Sequence, residues 1–149
     1  MSREELLLFI RTHRYVVQAS VSPSGVPQAA IIGIAVTDDL EIVFDSVESS
    51  RKVPNLRINP AASFVIGGWT PGDERTVQYE GITDQPHGPD LERLRKIYFD
   101  TFPDGRKRLG WPGLVHLRVR PTWIRYSDFN KNPPQIVEFT TAQLEGYSW

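Results

Sequence analysis

Turn chemistry cuts this chain at short intervals, and that constrains its fold more than any other feature. Ser22-Pro23-Ser24-Gly25, Thr37-Asp38-Asp39 and Thr70-Pro71-Gly72-Asp73 set or tolerate turn dihedrals. Between them lie runs rich in β-branched and aromatic residues: Tyr15 to Val21, Pro27 to Val36, Leu40 to Asp45, Ala61 to Trp69, Arg75 to Thr83, Leu114 to Val119 and Trp123 to Tyr126. These read as strands, the last two broken at Pro121. The second run is almost wholly apolar, which predicts burial on both faces. The first three are expected to form an antiparallel meander. Many short strands with few helices predict a mainly β protein, a six- or seven-stranded antiparallel barrel with peripheral helices.

Three helices fit between the strands. Ser2 followed by Glu5 is a capping-box pattern, so a helix is expected from about Arg3 to Thr12 with Leu6, Phe9 and Ile10 facing the core. From Ser49 to Ile58 the period changes, and Pro54 is tolerable in a first turn, where N–H groups lack intrahelical partners. Gly88-Pro89 opens a third helix with Leu91, Leu94, Ile97 and Tyr98 on its buried stripe. A basic loop carrying Arg106, Lys107 and Arg108 follows. The tail from Phe129 to Trp149 is expected to pack on a neighbouring subunit or to be loosely ordered.

Composition removes several function classes. The absence of Cys excludes disulfides, thiolate metal sites and thiol catalysis. Lys+Arg 17 against Asp+Glu 18 gives no general nucleic-acid or membrane-surface character. The apolar run Leu6 to Ile10 is short and follows two acids, unlike a secretory signal, and no stretch approaches the roughly 20 apolar residues of a membrane span. One domain over residues 1–149 and a cytoplasmic location are the expectations. His13, His87 and His116 lack ligand spacing, so no metal is expected, and no Gly-x-Ser-x-Gly elbow is present. Trp111, Trp123 and Trp149 read first as packing residues and second as candidates for stacking on a planar ligand or for a dimer seam. Trp69 could rim a pocket, and Gly67-Gly68 reads as a strand end.

Chemistry concentrates between Leu40 and Pro60, where a strand and a polar loop lead into Ser50-Arg51-Lys52 at a helix start. Unpaired helix N–H groups, a guanidinium, an ammonium and a hydroxyl together suit a terminal phosphate. The plainer reading is that Ser49 or Ser50 only caps the helix, with Arg51 and Lys52 in water.

The order of motifs then matters. A strand, Ser50-Arg51-Lys52, the helix end Asn55-Leu56-Arg57-Ile58-Asn59-Pro60, an apolar strand, and Glu74-Arg75-Thr76-Val77 with Gly81 follow one another. Together with the opening helix and the Ser-Pro-x-Gly-x-Pro hairpin at Ser22 to Pro27, they resemble the flavin-binding core of the pyridoxamine 5′-phosphate oxidase family over roughly residues 4 to 128. The resemblance implies an FMN-binding split barrel that works as a homodimer with the flavin at the seam. It implies that Ser50, Arg51 and Lys52 hold the FMN phosphate and that Asp45 and Ser46 contact the cofactor. It further implies that Ala30, Ile31 and Ile32 flank the isoalloxazine, with Thr76 or Gln78 beside the ring. The chain departs from the oxidase in having Ala30 and Ala35 where that enzyme carries basic residues. It has no Arg-x-His signature between Thr140 and Trp149, and Tyr126-Ser127 stand where the oxidase often has tryptophan. The expected function is therefore an FMN-dependent oxidoreductase acting on a small molecule other than a B6 vitamer, with no catalytic residue assigned. The alternatives are an F420-dependent reductase, whose acidic tail would meet Arg106 to Arg108, and a non-enzymatic flavin- or haem-binding protein.

Overall fold

The computed structural model describes residues 1–145. Helix α1 (Arg3–Arg11) is closed by the expected capping box: Ser2 Oγ accepts from Glu5 N at 3.1 Å and Glu5 Oε2 accepts from Ser2 N at 2.6 Å. Strand β1 (Tyr15–Val21) forms a hairpin with β2 (Pro27–Gly33), Tyr15 opposite Gly33. The chain then changes partner. A short β3 (Ala35–Val36) pairs with β4 (Ile42–Val47) rather than continuing along β1. The expected second strand is thus two strands joined at Ile34, and the meander is interrupted there. The cause is local: a Cβ at Gly33 would lie 2.8 Å from the Phe102 ring, so the chain bends where that side chain packs in.

After helix α2 (Lys52–Ile58), β5 (Ala61–Gly67) and β6 (Arg75–Asp84) flank one another, joined by the Thr70–Asp73 turn with Gly72 at φ +82°. Helix α3 (Gly88–Thr101) and a 3₁₀ segment (Pro103–Gly110) lead into β7 (Leu114–Asp128). Neighbouring strands run β2-β1-β5-β6-β7-β4-β3. The two ends of that path are consecutive in the chain, separated by Ile34, so the sheet curls round on itself as an antiparallel split barrel.

Pro121 does not break β7. It sits opposite Gly81, and the register slips by one residue at Thr122, a bulge that accommodates the missing N–H. The approach there is so close that a Cβ on Gly81 would meet Arg120 O at 2.4 Å. The tail also differs from expectation: β8 (Gln135–Phe139) pairs with β7 of its own chain, Phe139 enters the core, and α4 (Thr141–Glu145) follows. Trp149 lies outside the described residues.

Alternation divides the side chains into two clusters. Val16, Ile42, Phe44, Phe64, Ile66, Val77, Tyr79 and Ile124 fill the barrel, with α1 contributing Leu6, Phe9 and Ile10. On the outside of β3 and β4, α3 buries Ala35, Val43, Leu94, Tyr98 and Phe102. Arg118, 4% exposed, ties α3 to the sheet through Asp84 at 2.6 Å and Asp90 at 2.8 Å, with Glu41 at 3.7 Å. No helix among the described residues is long and apolar enough to cross a membrane.

Candidate functional site

The loop from Val47 to Arg51 is built by backbone constraints on both sides. Ser50 N donates to Val47 O at 2.9 Å, and Glu48 N donates to Gly113 O at 2.9 Å. The hydroxyls of Ser46 and Ser50 lie 3.0 Å apart. Neither Ser49 nor Ser50 caps α2: the cap position is Arg51, in helical conformation and without a side-chain cap bond. The helix begins at Lys52 rather than Ser49. Its seven residues make two turns, so any grip on an anion rests on side chains and loop N–H groups rather than on a helix dipole.

Arg51 is exposed and Lys52 half-buried. Among the described residues neither side chain finds a carboxylate or a hydrogen-bond partner. Burial, and after it the charge of Arg51, pushes the Lys52 ammonium below its ordinary pKa. An anion placed between them would relieve both costs. The two cations border a cleft of about 80 Å³ whose other wall is Gln18, Ser20, Gln28 and Ala30 of β1 and β2. Asn55 secures that wall to α2, donating to Gln28 Oε1 at 2.9 Å and lying 3.3 Å from Ser20 Oγ. Gln18 and Ser20 are buried polar residues on the same inward parity as Val16, a departure from apolar-inward alternation that is the sequence signal for this wall. A wider cleft of about 740 Å³ lies between α1, β6, β7 and α4. Its arginines are already matched, Arg3 with Asp39 and Arg120 with Glu41 and Asp84, so it has no unneutralised pair of this kind.

The strand residues named above separate by face. Ala30 is opposite Gln18 and lines the cleft, whereas Ile32 is opposite Val16 and packs on the barrel core. Ile31 points outward and is 74% exposed, contrary to the burial on both faces expected for this strand. Register places Ile31, Val17, Val65 and Gln78 in one cross-strand row over β2, β1, β5 and β6. Thr76 shares the outer face with Gln78, opposite Gly67. The structure therefore gathers Ala30, Arg51 and Lys52 around one cleft, places the Ser46–Ser50 hydroxyl pair where the end of β4 meets the loop that leads into Arg51, and sets Ile31, Thr76 and Gln78 on the outer surface. Asp45 joins none of these groups. It faces α3, where Arg108 Nε donates to it at 2.7 Å and Tyr98 Oη at 3.1 Å. Of the basic loop, Arg106 stacks over the Phe99 ring and Arg108 is committed to Asp45, so neither is a freely solvated charge. His116, the histidine expected in a core or interface, is buried under α3 between Tyr98 and Phe99.

Fold and cleft together define an antiparallel split barrel with an open edge where Arg51 and Lys52 border a small cleft. The sequence profile of the pyridoxamine 5′-phosphate oxidase family matches residues 2–128, and the chain belongs to that family. It is 30% identical over 125 residues to the pyridoxine/pyridoxamine 5′-phosphate oxidase of Bordetella pertussis, covering 78% of this chain and 57% of that enzyme. The chain thus spans little more than half the length of this relative. Among solved structures, a heme binding protein from Mycobacterium smegmatis superposes with a TM-score of 0.81 at 17% identity, over 97% of this chain and 60% of that one. A pyridoxamine 5′-phosphate oxidase-related, FMN binding protein from Nostoc punctiforme gives 0.69 at 15% identity, over 92% of this chain and 87% of that one. At these identities both likenesses establish the fold alone.

Proposed function

We propose that this protein binds FMN and acts as a flavin-dependent oxidoreductase on a small molecule. The observation that carries the reading is the Arg51–Lys52 pair, two adjacent cations without a counter-ion beside an open cleft. Ser46, Ser50, Arg51 and Lys52 suit the phosphate, with charge-assisted bonds to its oxygens. The bound flavin would supply the redox chemistry, and the chain would supply orientation and charge.

A cleft of about 80 Å³ is far smaller than the 300–1,000 Å³ typical of ligand pockets, so one copy cannot enclose the ring. The outer face beside it carries Tyr15 at 61%, Ile31 at 74% and Val65 at 42% exposure. A second copy of the chain fits that face by two-fold symmetry, since the same patch on both partners builds two equivalent sites. Ile31, Thr76 and Gln78 would then face the ring at the seam. A B6 vitamer is the poorer substrate candidate, because Ala30 and Ala35 replace the basic residues of the oxidase and no Arg-x-His signature lies between Thr140 and Trp149. F420 is the weaker alternative: with Arg108 committed to Asp45, only Arg106 and Lys107 of the basic segment remain for its acidic tail.

An absorbance spectrum of the purified protein, followed by FMN titration, tests the reading. Arg51→Ala with Lys52→Ala should raise the FMN dissociation constant at least about tenfold, the equivalent of one charge-assisted contact. Unchanged affinity would remove the phosphate assignment, and a Soret band in place of flavin bands would move the protein to the haem-binding alternative.

A further inference from the structure

The cation at Arg108 has a role that its position in a basic loop conceals. Its three nitrogens are all engaged: Nε donates to Asp45 at 2.7 Å, Nη2 to Tyr98 Oη at 3.2 Å and Nη1 to Asp104 at 3.3 Å. Tyr98 Oη in turn donates to Asp45 at 3.1 Å, which closes a triangle of side chains from β4, α3 and the 3₁₀ segment. The side chains of Arg108 and Asp45 are 21% and 14% exposed, so salt screens the pair less than a surface ion pair. Three of its five N–H donors are committed to Asp45, Asp104 and Tyr98, and Arg108 is not among the residues that line the cleft.

What the triangle fixes is the end of β4. Asp45 projects toward α3, and the next residue, Ser46, projects to the other side, where its hydroxyl meets Ser50 at 3.0 Å. Asp45 also lies opposite His116 in β7, and Val47 is the last residue of β4 paired to that strand, opposite Leu114. The loop that presents Ser50, Arg51 and Lys52 leaves the sheet immediately afterwards. We propose that Arg108, acting through Asp45, is a positioning residue for this loop: it holds the end of β4 so that Ser46, Ser50, Arg51 and Lys52 converge on one phosphate. The proposal rests on the FMN reading above.

The test compares FMN with riboflavin, which lacks the phosphate, by flavin fluorescence on the full chain. Arg108→Met should raise the FMN dissociation constant about tenfold and leave that of riboflavin within about twofold. Arg108→Lys should recover part of the loss. Asp45→Asn, which keeps the volume and removes the charge, should show the same selective loss and serves if Arg108→Met does not fold. The Arg51→Ala/Lys52→Ala variant is the reference. If it loses the preference for FMN while Arg108→Met and Asp45→Asn keep it, the positioning role is overturned. If the reference variant also keeps the preference, the phosphate site itself is wrong and the inference goes with it.

Discussion

The two sides of the barrel handle charge in opposite ways. Under α3, Arg118 meets Asp84, Asp90 and Glu41, Arg108 meets Asp45 and Tyr98, and apolar side chains close over Val43 and Leu94. Around β1, β2 and α2, Arg51 and Lys52 have no counter-ion among the described residues and Ile31 stands in solvent. The first side is complete within one chain. The second carries two cations beside an open cleft and an exposed apolar patch at Tyr15, Ile31 and Val65. Unmatched cations and an exposed isoleucine on one flank of an otherwise well-matched fold therefore mark where a ligand and a partner are to be sought.

Several substitutions sharpen the contrast. The largest effect is expected on the completed side. Arg118→Met removes the buried cation shared by Glu41, Asp84 and Asp90, and since Arg93 and Arg120 still reach these carboxylates the cost falls at the low end for a buried pair, about 3 kcal/mol by urea denaturation. A change within about 0.5 kcal/mol would mean that the cluster is not what holds α3. On the open side, Ile31→Asp should leave chain stability nearly unchanged because the residue is already exposed, yet weaken self-association about thirtyfold by sedimentation. An unaltered association constant would place the partner elsewhere.

The smallest effect is a pH dependence. His116 is 1% exposed, its Nδ1 accepts from Arg95 Nε at 3.4 Å, and its Nε2 has no partner. The groups facing it are Arg95, Tyr98, Arg108 and Asp45. Burial lowers its pKa below 6.5, Asp45 opposes that shift, and the two arginines reinforce it. The unfolded chain then takes up a proton that the folded chain resists. Stability is complete above 6.5 and declines as pH falls from there toward the folded value. Asp90 acts in a separate window: with its pKa lowered by Arg93 and Arg118, its contribution is present above 3.8 and is lost only as pH falls below that. Urea midpoints measured as pH falls below neutrality should decline in the wild type and stay flatter in His116→Leu. Parallel curves would deny His116 the role.

The strands, turns and caps were legible in the sequence because they depend on neighbours. Tyr15–Val21 has the expected limits, the Ser2–Glu5 box closes α1, and Gly88-Pro89 opens α3. The order of motifs around Ser50-Arg51-Lys52 pointed to the family. What stayed hidden depends on distant contacts. Pro121 stays inside β7 because Gly81, forty residues earlier, admits the bulge. The apolar run of β2 hid its two-sidedness: Ile32 packs on the core while Ile31 is exposed, a split that no polar residue in the run signals. The family resemblance groups Asp45 with Ser46, but alternation sends Asp45 to Arg108, 63 residues away.

Parallel titration of the wild-type protein with FMN and with riboflavin tests the account most directly. The account predicts one FMN per chain, bound at least about tenfold more tightly than riboflavin. Equal affinities, or no binding of either, would contradict the claim that the open side of the barrel is a flavin phosphate site.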